Sequence, residues 1–354
     1  MVRRGLPLLA LLVFAAPAHA TRFAVTTHGT LPAVAVDAAA TAHVVWDSLD
    51  AKTGTSQTTY CRVPRAATGC APGSTKTFSP VSGDQDFAGP HVVLSGRTVT
   101  IVFSRCCSGG DTATRVYAAT SSDGGATFAP PAVIGSLGPD LGFAYTGSAF
   151  LSLGNTDAGI ALQYSKPGDT TTKENVVAKG EAESGGVGAG PGGWIAAYAG
   201  SDGVVRAARL RGDVTATKPA FDTLGRGSDV RVTAGRNGTY VLYLTPGDAG
   251  RYVVKRYADG RFGSAVPVSE KSAPIFGTLL EDAAGRVHAA WIGSRGITYR
   301  RSDTRGRSFA KARGLAVATG DYADLAVAAN AKGRAAVVYA RSATAGTIGG
   351  FTAG

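Results

Sequence analysis

Methionine occurs once in 354 residues and histidine five times. Charged residues make up only 17%, while glycine fills 49 positions and proline 16. Coiled coils and long surface helices need dense Lys, Glu and Ala tracts, so this composition excludes them. Beyond the first twenty residues, no stretch approaches the ~20 uninterrupted apolar residues of a spanning helix. The four cysteines form no Cys-x-x-Cys pair and the histidines show no ligand spacing. A metal centre or a redox thiol is therefore not expected, nor is any cofactor. What is present suffices for a core, because 44% hydrophobic residues with 8% aromatics exclude wholesale disorder. Lys and Arg number 36 against 25 Asp and Glu, a formal charge of +11 that favours acidic partners such as anionic glycans or cell-surface polymers.

The first twenty residues read as a secretory signal. Arg3 and Arg4 form the basic start, Leu6 to Ala16 the apolar stretch, and Ala18-His19-Ala20 a small-residue cleavage site. A secreted, extracellular chain from residue 21 to 354 is the expectation, with no lipid anchor. In that compartment cysteines oxidise. Cys61 and Cys70 lie nine residues apart, a spacing that fits a bridge across a wide hairpin. Cys106 and Cys107 are adjacent; they either close a vicinal ring or pair elsewhere, and four cysteines allow three connectivities.

A short β-rich run ending in an aromatic recurs seven times. Its terminal residues are Trp46, Phe103, Tyr164, Tyr198, Tyr243, Trp291 and Tyr339, separated by 57, 61, 34, 45, 48 and 48 residues. Most copies follow a glycine turn (Gly96, Gly193, Gly238, Gly285, Gly333) and an apolar strand, and a further strand comes after a variable loop. Strand, turn, strand, loop, strand, turn, strand at that period is a β-propeller blade. An all-β fold of one seven-bladed propeller is the reading. Six blades is the alternative, should the units 34 residues apart merge. The last unit runs one strand short, and Phe23-Ala24-Val25 is a spare strand that would close the ring inside it.

Ser121-Ser122-Asp123-Gly124-Gly125-Ala126-Thr127-Phe128 fits Ser-x-Asp-x-Gly-x-Thr-Trp/Phe at Ser121, Asp123, Gly125, Thr127 and Phe128. That pattern resembles the Asp-box, or BNR repeat, of the sialidase-like propellers. A degenerate copy at residues 302–309 carries Thr304 where the Asp belongs. The resemblance implies a folding element on the face opposite a ligand pocket. Trp291-Ile292-Gly293-Ser294-Arg295 is similar to the sialidase segment bearing a carboxylate-binding Arg, and Gly320-Asp321-Tyr322-Ala323-Asp324-Leu325 resembles Tyr-Ser-Asp-Leu. By that resemblance Arg295 would bind a carboxylate and Tyr322 would be the catalytic nucleophile, activated by a neighbouring carboxylate. The remainder departs from the family plan. Thr21-Arg22-Phe23-Ala24 is not Phe/Tyr-Arg-Ile-Pro, and none of the five Glu is followed by an Arg at the usual distance.

At a propeller's channel mouth the residues just before inner strands collect. Asp86, Asp140 and Asp324, with Asp84, Asp229 and Asp321, recur there, and Tyr145 would stack on a sugar ring. The reading is an exported, monomeric propeller that binds carbohydrate or another cell-surface ligand without sialidase hydrolysis and without nucleic acid. A divergent glycoside hydrolase using Tyr322 is the first alternative and an interaction scaffold the second, because one ring hosts all three.

Overall fold

The computed structural model describes residues 20–353 except 51–52, 79–88, 106–113, 138–139, 167–168, 170–171, 191–192, 211–213, 215–217, 273, 316–321 and 342–346. Among the described residues every regular element is a strand. They form seven antiparallel sheets arranged as blades around one channel. Blade 1 spans residues 30–78, blade 2 91–137, blade 3 140–178, blade 4 182–226, blade 5 228–267 and blade 6 275–314. Blade 7 takes three strands from the C-terminal end, Tyr322–Ala329, Ala335–Arg341 and Ile348–Ala353, and a fourth, Thr21–Thr26, from the other end.

That fourth strand answers the expectation of closure. Phe23 pairs with Gly350 and Ala24 with Gly349, and the Phe23 ring is buried. Gly350 leaves the space that ring fills, since a Cβ there would meet Phe23 Cζ at 2.2 Å.

Six of the seven terminal aromatics lie on second strands, one per blade, while Tyr164 lies on the third strand of blade 3, Gly159–Ser165, whose second strand is Phe150–Thr156. The second strand is sandwiched by neighbouring blades on both faces, so its sequence is a near-continuous apolar run rather than an alternation. His43-Val44-Val45-Trp46 and Val337-Val338-Tyr339 are buried throughout. The 34-residue interval is not a merged blade. It is short, and the 61-residue interval before it long, because Tyr164 lies on the third strand of blade 3 while Phe103 and Tyr198 lie on the second strands of blades 2 and 4. Seven apolar clusters fill the seven seams between blades, so the ring has no unpacked junction.

The turns between inner and second strands sit on one face, and polar side chains there tie blade to blade. Asn237 donates to the Glu281 carboxylate at 2.6 Å, Arg286 donates to Ala331 O at 2.7 Å, and Asn330 donates to Asp37 O at 2.8 Å. Blades 1 and 6 each carry the same buried relay. The ring nitrogens of His43 meet the Tyr60 hydroxyl at 2.6 Å and Asp37 at 3.5 Å, and those of His288 meet Tyr299 at 2.7 Å and Asp282 at 3.0 Å. Burial lowers both imidazole pKa values despite the neighbouring carboxylates.

The turn at 121–128 follows the third strand of blade 2. The Asp123 carboxylate accepts from the Thr127 hydroxyl at 2.6 Å and from the Thr127 and Ala126 amides at 2.9 Å. The Thr127 bonds, more than any other contact, hold Asp123 well below the usual carboxylate range. Gly125 takes φ +83° against the Tyr60 hydroxyl, where a Cβ has no room. Phe128 packs edge-on against Tyr60 and Phe78 of blade 1, so this turn clamps one blade to the next. The copy at 302–309 repeats the device with a hydroxyl. Thr304 Oγ1 accepts from the Ser308 amide at 2.9 Å, and Gly306 (φ +77°) approaches Tyr240. Cys61 is bridged to Cys70 with Cα atoms 5.7 Å apart, as the spacing predicts.

Candidate functional site

The seven inner strands enclose a cavity of about 380 Å³. Six of them shift register at their first residues: between Thr30 and Ala33, Asp140 and Gly142, Ala182 and Ser184, Ser228 and Arg231, Ile275 and Gly277, and Tyr322 and Asp324. Such bulges re-aim the following side chains. In three blades the bulge holds a non-glycine residue in the left-handed region, Leu31 (φ 49°), Asp229 (φ 45°) and Phe276 (φ 49°). Strain repeated at one place around a mouth marks a shaped site.

Among the described residues two charged side chains, Arg231 and Asp324, line this cavity. Arg231 of blade 5 is about half exposed in it, and Asp229 holds the guanidinium from behind, accepting from Nε at 3.2 Å. Asp229 is fixed in turn by the Tyr252 hydroxyl, which donates to its Oδ2, and by the Gly277 amide of blade 6 at 3.4 Å. Burial, with Asp229 adding to it, raises the Tyr252 phenol far above its ordinary pKa, so it stays a donor. Asp324 of blade 7 lines the same cavity. The apolar wall comes from Leu31, Leu141, Phe143 and Phe276, and the His91 ring lies 4.1 Å from that of Phe143.

Asp324 is reached from the channel yet surrounded by protein. Burial pushes its carboxyl up to about 6, against the opposing pull of the Leu325 amide and Arg231, while Asp229 adds to the rise. The native state therefore holds this proton more tightly than the unfolded chain, whose value is 3.8. The stability linked to that proton is complete below about pH 4 and is lost as pH rises through about 6. Asp324→Asn is expected to melt above the wild type at pH 7–8 by up to about 2–3 kcal/mol, with the gap closing near pH 4. Thermal melts of both proteins from pH 3.5 to 8 check this, and a gap independent of pH refutes it.

The other residues singled out in the sequence are dispersed. Tyr322 opens the inner strand of blade 7 but is buried, edge-on to Tyr339 at 5.5 Å, with the Arg341 guanidinium 5.7 Å from its ring centroid. Arg295 tips the exposed turn after the second strand of blade 6 and lines a different recess, with Lys271, Arg300 and Lys311. Tyr145 ends the inner strand of blade 3, away from the bulges, and its hydroxyl donates to Gly147 O at 3.0 Å. Asp140 starts that strand, where only its backbone is described. Asp86, Asp84, Asp321, Cys106, Cys107 and residues 1–19 lie outside the described residues. Among the described residues no group of three His, Cys, Asp or Glu is placed to hold a metal ion, and no helix is long and apolar enough to cross a membrane.

Sequence reasoning named Asp229 but missed Arg231. The only signal was Ser228-Asp229-Val230-Arg231 at the start of a strand, and the bulge there alters the facing that alternation would give.

No family model matches the chain, and no curated protein does. Solved structures do. A protein of unknown function from Dyadobacter fermentans DSM 18053 is similar over 94% of this chain and 97% of its own, with 15% identity and a TM-score of 0.51. The β-propeller domain of the Trilobed protease from Pyrococcus furiosus, described as having an open velcro topology, matches over 94% and 95% at 8% identity and 0.51. An acylaminoacyl peptidase in complex with Z-Gly-Gly-Phe-chloromethyl ketone matches over 91% of this chain at 8% identity and 0.54. This chain covers about half (51%) of that peptidase. At such identities the likeness shows the propeller fold alone.

Proposed function

We propose that this protein is an exported binding propeller that takes a carbohydrate at the bulged mouth of its central channel, without hydrolysing it through a tyrosine nucleophile. One observation carries the reading. Arg231, anchored by Asp229, shares a cavity with Asp324 beside an apolar arc of Leu31, Leu141, Phe143 and Phe276. A few fixed polar groups set against apolar surface suit a sugar ring, whose hydroxyls need donors and acceptors and whose C–H face needs apolar contact. Export is supported by the basic, apolar and small-residue order of residues 1–20. Kinship with the Asp-box propellers is supported by the hydrogen bonding of Asp123 and by the hydroxyl-based copy at Thr304. Against sialidase chemistry stand the packing of Tyr322 on Tyr339 and the separate recess of Arg295.

A glycan array with the mature protein is expected to give a defined set of ligands. Arg231→Ala, a half-exposed position, should weaken them at least about tenfold at unchanged melting temperature. An empty array, or ligands untouched by that change, refutes the assignment.

A second reading, glycoside hydrolysis, is favoured by one feature. A carboxyl pushed up to about 6 is suited to protonate a leaving group. Turnover of fluorogenic glycosides that disappears in Asp324→Asn would replace binding with catalysis.

A further inference from the structure

Blade 6 carries a concentration of positive charge remote from the channel. Two recesses, of about 340 and about 220 Å³, lie against its third and outer strands and share Arg300 and Lys311. Lys271 and Arg295 complete the cations of the first, and Arg301 and Arg313 those of the second. The first includes the turn at Arg295 and the second reaches Gly333, in the opposite-face turn of blade 7, so together they run the height of the blade. Glu270 is the one carboxylate among the lining residues, 3.4 Å from Arg300, and Asp303 pairs with Arg301 at 3.0 Å. Six cations thus face two carboxylates. The belt is also rigid at its centre. The Arg300 guanidinium lies 5.8 Å from the Trp291 ring centroid and donates to Val268 O at 2.8 Å.

Charges on an outer strand commonly serve to block edge-to-edge pairing. Yet of the six cations only Arg313 lies on the outer strand Arg313–Gly314, which carries no more charge than the outer strands of blades 1 and 5 with Lys76 and Arg261. Arg300 and Arg301 are on the third strand, and Lys271, Arg295 and Lys311 are in loops. Edge protection therefore does not account for the excess on blade 6. A row of guanidinium and ammonium groups along an extended recess matches a ligand with repeated carboxylate or sulfate groups. Single-stranded nucleic acid would call for exposed aromatics on which bases stack. Here Tyr299 and Trp291 are both buried.

We infer that the outer edge of blade 6 is a second binding surface, an anchor for an anionic polysaccharide, independent of the channel site. In about 0.1 M salt the protein is expected to bind polygalacturonate and dextran sulfate but not neutral dextran, with affinity falling steeply as salt rises. The variant Lys271→Gln, Arg295→Gln, Lys311→Gln, Arg313→Gln, which spares Arg300 and its packing, should bind at least about tenfold more weakly and melt as the wild type does. A control that removes four exposed cations elsewhere, Arg97→Gln, Lys173→Gln, Lys179→Gln, Lys218→Gln, has the same net charge and should keep most of the affinity. Equal losses in the two variants would reduce the effect to net charge and overturn the assignment. So would an absence of polyanion binding, or duplex DNA bound as tightly as the polysaccharides. Because the readout is polyanion affinity, it stands or falls separately from Arg231→Ala on the glycan array.

Discussion

Removal of residues 21–27 is expected to cost more than about 5 kcal/mol, a large part of what holds a protein of this kind together. Two losses combine. Phe23, 1% exposed, leaves a void among Val44, Trp46, Val338 and Ile348, and emptying a phenylalanine site costs about 3–5 kcal/mol by itself. The strand Ile348–Ala353 also loses its partner and becomes an open edge, prone to pairing with another chain. The truncated protein should therefore melt far below the intact one and associate at high concentration. A synthetic peptide of residues 21–27 should restore part of the loss in trans. Denaturant titrations of both forms decide it, and coincident curves would show that the ring closes without this strand.

Asp47→Ala should cost about 3–5 kcal/mol, although neither sequence pattern nor channel geometry singles Asp47 out. Asp47 and Arg105 are buried together in the seam between blades 1 and 2, at 4% and 1% exposure. The Thr58 hydroxyl donates to Asp47 Oδ1 at 2.6 Å and accepts from Arg105 Nη2 at 2.6 Å, and the two charges lie 3.6 Å apart. Arg105 also donates to Ser104 O and lies 5.0 Å from the Phe103 ring centroid. Taking the carboxylate away removes a counter-charge 3.6 Å from the buried guanidinium and the acceptor of the buried Thr58 hydroxyl, and that penalty is the source of the loss. The double change Asp47→Leu, Arg105→Met removes both charges and should recover most of it, because a buried pair roughly breaks even against apolar packing. A double variant as unstable as the single one would refute the account.

The sequence determined the ring. Six of the seven second strands carry the apolar run and terminal aromatic within a few residues, and burial on both faces allows little else there. Blade 3 shows the pattern on its third strand instead, so the count of seven blades is legible from local pattern although one strand is misplaced by it. The closing strand is legible as well, since Phe23-Ala24-Val25 has β character and the last blade is one strand short. The turn at 121–128 is self-contained too: the Gly125 amide donates to the Ser121 hydroxyl, and the Ser121 and Thr127 hydroxyls donate to the Asp123 carboxylate. Tertiary structure alone decided the site. Alternation would put Tyr322 and Asp324 on one face, but the bulge between them buries the tyrosine ring in the seam and leaves Asp324 in the channel. Arg231 and Asp324 stand two blades apart and meet only because the ring closes, and the cations of blade 6 become a belt only when the loop at Lys271 folds against its outer edge. Short-range periodicity encodes which residues are buried between blades. Bulges change the facing of a strand locally, and ring closure joins distant segments, so the positions of these functional groups are not written in any one stretch of chain.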